Sequence, residues 1–403
     1  MRILWVKAGG LWPDDRGGRL RSRHLISELS RRHRVIVATT HASDDDPDGL
    51  AAALPGCEEV ISVPHTPPKP GNARFAASVL RSWFSPWPLH FWRWRVPALR
   101  RRVARVLAAG GVDLCVVDFL ATTPNVDFGG AVPTVLFSHN VEHMILKRLR
   151  QVEPRAWRRA VLALEWRKVR RWEAHACAQA ALTIAVSHVD RDALTALVPG
   201  ARVCSVPTGV DPAYFAPNGV SELPAHLVFT GGMDGYPNED GILYFMESIL
   251  PSIRREIPTV SFTVVGRNPS LRLRTAAAAQ GVHVTGTVED VRPYVAEAAI
   301  CVVPLRIGSG TRLKIFEALS MGKAVVSTTV GAEGLPLVPG QHFLQADDPA
   351  EFARATVALL RDPARRKALG TAGRQLVETR FSWSGVAREF EARCEEVVAD
   401  HAR

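Results

Sequence analysis

Between Val303 and Ser327 the chain carries residue types at a spacing that could clamp an anion. An apolar run, Ala299 to Val303, stops at Pro304 and turns through Gly308-Ser309-Gly310-Thr311. It then enters a stretch of helical spacing that holds Arg312, Lys314 and Glu317 and closes at Gly322. A glycine turn ahead of a helix offers unpaired backbone N–H groups and the positive end of the helix dipole, which suits a diphosphate. Arg312 and Lys314 add formal charge. Glu317, about one to two turns into the helix, is placed to accept hydrogen bonds from paired hydroxyls such as those of a ribose. Strand, glycine turn and helix also follow one another in α/β domains for structural reasons alone, so only the ensemble favours a nucleotide-diphosphate clamp.

A second candidate is His139. Thr134 to Phe137 reads as a buried strand ending in Ser138-His139-Asn140, and polar groups at the carboxyl end of a parallel strand face the crevice where α/β sheets take ligands. Glu142 and His143, just beyond, read as the start of a helix. Near the amino terminus the glycine pairs Gly9-Gly10 and Gly17-Gly18 either let backbone approach a ligand or simply turn the chain. Asp44-Asp45-Asp46 has the composition of an acidic metal motif, but it lies in a Pro- and Ser-containing loop and reads as a solvated run. No metal site is expected.

These residues need elements to position them. The apolar runs Ile3 to Val6, Val35 to Ala38, Asp113 to Val117, Thr134 to Phe137, Leu182 to Val186 and Arg202 to Val206 alternate with helical spacing, which predicts a doubly wound parallel sheet. The Pro- and Gly-rich run Pro207 to Gly219 reads as a linker. A second α/β series follows it, with strands at His226 to Thr230, Val260 to Val265, Val282 to Val284, Ala299 to Val303 and Ala324 to Ser327, then three closing helices. The expected fold is α/β, two Rossmann-like domains over residues 1–208 and 209–383, with the last helix, about 384–403, packing back on the first. Neither series carries Gly-x-Gly-x-x-Gly after its first strand, which argues against a nicotinamide or flavin enzyme.

At 403 residues and 47% hydrophobic the chain can build two cores. No stretch approaches the length of a membrane span, and Met1 to Lys7 reads as a strand, so a cytoplasmic protein is expected. Six scattered cysteines read as reduced core residues. The net charge is +10, and its excess is one-sided: residues 1–216 hold 30 Lys and Arg against 19 Asp and Glu, residues 217–403 hold 20 against 21. Much of that excess surrounds aromatic residues. Trp83, Trp87, Trp92 and Trp94 precede a stretch with Arg100, Arg101, Arg102 and Arg105, and Lys147 to Arg171 repeats the mixture. Tryptophan beside arginine suits either an anionic membrane surface or a core-facing helix with a solvated basic face, and two such segments in one domain favour peripheral contact with an anionic bilayer, on the inner face of the plasma membrane. No nucleic-acid motif accompanies the charge.

The chain resembles the family 4 glycosyltransferases of GT-B architecture. The resemblance rests on Gly17-Gly18 and the helix after it, His139 after its strand, and Ser187 after Thr183-Ile-Ala-Val. It continues through Pro207-Thr-Gly-Val-Asp211 with Phe215 and Pro217, Gly231-Gly232, Val265-Gly266-Arg267, and Glu317-Ala318 followed by Gly322-Lys-Ala-Val-Val. The variant from Leu305 to Ala318 is similar to a branch from capsule and exopolysaccharide assembly. What the resemblance implies is transfer of a sugar, with retained anomeric configuration and without a metal or other cofactor, from a nucleotide-sugar to a glycan or lipid-linked acceptor. The donor would lie on Gly232, Arg267, Gly308, Ser309, Gly310, Thr311 and Glu317, with His139, Arg312 and Lys314 as the catalytic group. The acceptor would lie near Gly17, Gly18 and Arg19. The family usually carries a second Glu where this chain has Ser309, and an Arg and a Lys after the Gly231-Gly232 turn where residues 231–240 hold neither; Arg312, Lys314 and Arg267 are read from this sequence as their substitutes. A nucleotide-sugar epimerase and a catalytically silent binding protein on the same fold are the alternatives.

Overall fold

The computed structural model describes every residue except 13–16, 43–46, 69–71, 218 and 308–312. The chain divides into two compact units, one formed by Met1–Pro207 with Trp383–Arg403 and the other by Thr208–Ser382. The expected acidic run Asp44-Asp45-Asp46 lies outside the described residues.

The first unit is built on seven parallel strands: β1 (Arg2–Lys7), β2 (Arg34–His41), β3 (Glu59–Pro64), β4 (Leu114–Asp118), β5 (Thr134–Ser138), β6 (Leu182–Ala185) and β7 (Val203–Ser205). Their spatial order is 3-2-1-4-5-6-7. Helices cover both faces of such a sheet, so its central strands are continuous apolar runs without alternation. Accordingly β4, β5 and β6 are buried at every residue. The strand order reverses between β1 and β4, which makes their carboxyl ends the topological switch point. The closing helix Trp383–His401 belongs to this unit. Its Val386, Phe390, Cys394 and Val397 enter the same core as Trp5 and Phe137, with Phe390 at 5.6 Å from Trp5 and 5.1 Å from Phe137.

The second unit has six parallel strands: β8 (His226–Thr230), β9 (Ser261–Val265), β10 (His283–Val284), β11 (Ile300–Val303), β12 (Ala324–Ser327) and β13 (Leu344–Gln345). Their order is 10-9-8-11-12-13, with the switch between β8 and β11. Two elements here escape sequence periodicity. β13 spans two residues, too few for a pattern. The helix that begins at Tyr236 passes through a π turn at Phe245–Ile249 before Leu250–Glu256, because Pro251 has no N–H to donate and its ring crowds the preceding turn. In the first unit the partly exposed edge strand β3 was likewise not anticipated.

Four of the six free cysteines, Cys115, Cys177, Cys301 and Cys394, are buried, and burial pushes the Cys115 and Cys301 thiols up to about 12.

β8 and β9 come so close at their carboxyl ends that only glycine fits. A Cβ on Gly266 would lie 1.8 Å from the Gly231 carbonyl oxygen. Backbone cannot yield as a side chain does, so Gly266→Ala is expected to destabilise the protein by about 3 kcal/mol. Urea unfolding checks this; an unshifted midpoint would contradict the contact.

Candidate functional site

Polar groups gather at the carboxyl ends of both sheets, and each gathering lies within its own unit. In the second unit β8 ends at Thr230 and turns at Gly231-Gly232. Backbone bonds tie that turn to β9 and to the second residue beyond it: Gly231 N donates to Val265 O, and Met233 N to Arg267 O, both at 2.9 Å. Asn238, in the first turn of the helix Tyr236–Tyr244, donates from Nδ2 to Gly232 O at 2.8 Å and accepts from Lys314 Nζ at 2.9 Å. Lys314 comes from the helix Leu313–Ser320, which follows β11, and its ammonium sits 3.7 Å from the Phe229 ring centroid. It lies 2.7 Å from where a Cβ on Gly231 would be. Arg267 holds its Nη2 3.4 Å from the corresponding position on Gly232, with its Nε 3.5 Å from Asp234 Oδ2.

Two cations from different elements thus converge on a turn that carries no side chain. Glu317 stands one helical turn beyond Lys314 and is half-buried. Burial raises its pKa to about 7 although Lys314 opposes the shift. Of the expected donor and catalytic residues, the structure brings together Gly232, Arg267, Lys314 and Glu317. Gly308, Ser309, Gly310, Thr311 and Arg312 lie outside the described residues.

In the first unit the strand ends deliver Lys7 and Asp118, and His139 follows β5 by one residue. All three are buried, together with Arg21 from the helix Gly17–Ser30. Asp118 accepts from Trp5 Nε1 at 2.9 Å, pairs with Lys7 at 3.3 Å and bonds His139 Nε2 at 2.6 Å. Arg21 Nη1 lies 3.0 Å from His139 Nδ1. Guanidinium only donates and carboxylate only accepts, so these partners assign the proton of His139 to Nε2 and the lone pair to Nδ1. Burial pushes the His139 pKa down to about 3, against the pull of Asp118. Burial likewise brings Lys7 down to about 8. For Asp118 burial works upward, but Lys7 and His139 outweigh it and hold the carboxyl below the usual range.

Both ring nitrogens of His139 are therefore engaged by side chains of the protein. Its ring stacks on Phe119 at 3.8 Å. Phe119 adopts φ 72°, a conformation costing on the order of 1 kcal/mol for such a residue and sustained only by tight surroundings. Gly18 supplies part of that packing: a Cβ there would meet Phe119 Cζ at 2.5 Å. Gly17 opens the helix, and Arg19 folds back to donate to Trp12 O at 3.1 Å. Lys7 and Asp118 were missed by sequence, although the carboxyl-end rule that singled out His139 applies equally to the last residues of β1 and β4. Glu142 does begin a helix, Glu142–Val152, and His143 bonds Glu173 at 2.6 Å. One set of groups with metal-ligand spacing occurs among the described residues, His33, Glu391 and Glu395, but Arg32 already pairs with Glu391 there at 2.6 Å.

The structure divides the basic aromatic segment. Trp87, Trp92 and Trp94 are half-buried. Trp87 packs on Trp172 and Trp92 at 4.7 and 5.5 Å, and Trp94 on His65 at 5.7 Å. Arg100 pairs with Asp127, while Arg101 and Arg102 are exposed. Trp83 alone of the four indoles stands out, 57% exposed. No helix among the described residues is long and apolar enough to cross a membrane.

Two parallel, helix-covered sheets in succession, each with its polar groups at the switch point, define a GT-B architecture. A model of Glycosyltransferase Family 4 matches residues 17–214 and one of Glycosyl transferases group 1 matches 224–362, and the chain belongs to these glycosyltransferases. It is 30% identical over 210 residues to a phosphatidyl-myo-inositol mannosyltransferase of Mycobacterium leprae, covering 50% of this chain and 55% of that one. The chain spans about half the length of the mannosyltransferases it matches. Among solved structures, sucrose-phosphate synthase from Thermosynechococcus elongatus superposes with a TM-score of 0.75 at 18% identity over 99% of both chains. HepE of Anabaena, in complex with UDP and glucose, superposes with a TM-score of 0.66 at 14% identity over 98% of this chain and 99% of that one.

Removing the carboxylate from the buried cluster would leave Lys7 uncompensated. Asp118→Ala is expected to cost about 3–5 kcal/mol, measured by chemical denaturation. A loss below about 1 kcal/mol, the size of an exposed pair, would contradict the cluster.

Proposed function

We propose that the chain transfers a sugar from a nucleotide-diphosphate sugar to an acceptor hydroxyl with retained anomeric configuration. The carrying observation is the convergence of Lys314 and Arg267 on the side-chain-free turn Gly231-Gly232. In the transfer the bond between the anomeric carbon and the β-phosphate oxygen breaks, and one from that carbon to the acceptor oxygen forms. The acceptor proton leaves with the diphosphate. Negative charge grows on the β-phosphate as the sugar becomes oxocarbenium-like, and fixed cations at the phosphate lower that barrier. Lys314 and Arg267 supply this charge, so the reaction is taken to need neither metal nor cofactor. Glu317 takes the ribose hydroxyls.

The mannosyltransferase names of the relatives and the UDP bound to HepE support a nucleotide-sugar donor. The phosphatidylinositol in the relatives' names supports a lipid-linked acceptor, and a polysaccharide precursor is the other acceptor of this class. On this reading the enzyme acts in the cytoplasm.

A carboxylate must be ionised to accept both hydroxyls. With its folded pKa raised to about 7, Glu317 is increasingly protonated below that pH. Donor affinity is therefore expected to rise as pH climbs through about 7 and to level off above it. Calorimetry with a nucleotide-diphosphate sugar, whose phosphates do not titrate in this range, reads the profile. Glu317→Gln should flatten it and Glu317→Ala should abolish binding. Equal affinity in wild type and Glu317→Ala would sink the assignment.

A further inference from the structure

The helix Ala73–Trp83 leaves most of its apolar residues uncovered: Phe75 and Val79 are half-buried, and the others are exposed. Asn72 caps it, accepting from Phe75 N at 2.7 Å, and of its eleven residues Ser82 is the one that is buried. Leu80 and Trp83 are 55% and 57% exposed, and Phe84, just past its end, is 90% exposed. A helix resting on a core ordinarily turns its apolar stripe inward. This one docks through a hydroxyl: Ser82 Oγ donates to Glu165 Oε1 at 3.3 Å, and Lys168 Nζ donates to the Ser82 carbonyl.

Those partners belong to the long helix Ala156–Gln179, which buries Lys168 and Glu173 while its amino-terminal half carries Trp157, Val161 and Leu164 outward at helical spacing. That line leads to Lys168, so two exposed apolar stripes meet at the Ser82 contact. The charge around them is one-sided. Residues 73–108 hold eight arginines and no acidic residue, and residues 142–179 hold ten Lys and Arg against four Glu. Arg81, Arg155 and Arg159, beside the stripes, form no ion pair among the described residues.

Exposed aromatic and aliphatic groups ringed by unpaired guanidinium are the complement of an anionic bilayer, whose headgroup boundary takes the apolar groups while its phosphates meet the arginines. We propose that this face, with Trp83, Phe84, Trp157 and Leu164 as its inserting residues, docks the protein on an anionic membrane. The docking stands on the surface itself. Its use, to meet a lipid-linked acceptor, rests on the transfer proposed above. The indoles of Trp87, Trp92 and Trp94 take no part.

The test is co-sedimentation of the full chain with vesicles of phosphatidylcholine containing phosphatidylglycerol, and with phosphatidylcholine alone. Wild type should bind the anionic vesicles at least about tenfold more tightly than the neutral ones, and less so at high salt. Trp83→Ser/Phe84→Ser and Trp157→Ser/Leu164→Ser should each weaken binding by about tenfold. These residues are exposed, so the melting temperature and its rise with nucleotide should stay those of wild type. That readout keeps a failed docking face distinct from a failed transfer reading. Equal sedimentation of wild type and both double variants, no preference for anionic lipid, or binding to duplex DNA or RNA without binding to vesicles would overturn the proposal.

Discussion

The second unit depends on the close approach of two backbones. β8 and β9 run together until the Gly231 carbonyl fills the space that a side chain on Gly266 would need. That contact fixes the Gly231-Gly232 turn and, through the bond from Met233 N to Arg267 O, the start of Arg267. Asn238 completes the frame by joining the turn to Lys314. A bulkier residue at either glycine would push the cations off and close the space in which backbone and charge could meet a diphosphate.

The first unit uses the same place on its sheet differently. There the strand-end groups satisfy one another: Lys7 and His139 share Asp118, and Arg21 completes the imidazole. Burying an ion cluster of this kind costs desolvation that mutual attraction must offset, and its return is a fixed arrangement rather than stability. What it fixes is the Phe119 ring, pressed between His139 and Gly18. The second unit holds its cations with an amide oxygen and the edge carboxylate Asp234, a lighter hold that suits exchange with an anionic ligand.

Much of this was legible in the sequence because parallel strands buried on both faces are unbroken apolar runs, and because helix spacing ties Lys314 to Glu317 locally. What escaped depends on pairing across the chain. Lys314 and Asn238 are 76 residues apart, and Asp118 lies 113 beyond Trp5, so no local pattern reports either contact. The tryptophans make the same point. Composition marks the segment as basic and aromatic, but which indoles face inward depends on Trp172, on another helix. The short strands β3 and β13 were invisible for lack of length or burial.

Lys314 and Arg267 are proposed to hold a nucleoside diphosphate against the Gly231-Gly232 turn without a metal. A thermal-shift panel of UDP, GDP, ADP and dTDP, with and without chelator, tests it on wild type and on Lys314→Met/Arg267→Met, since a ligand bound only by the folded state raises the melting temperature. The account predicts that at least one of the four stabilises wild type equally with chelator present, and that the double variant loses most of that shift. No shift with any nucleotide, a shift that chelator removes, or an undiminished shift in the double variant would contradict it.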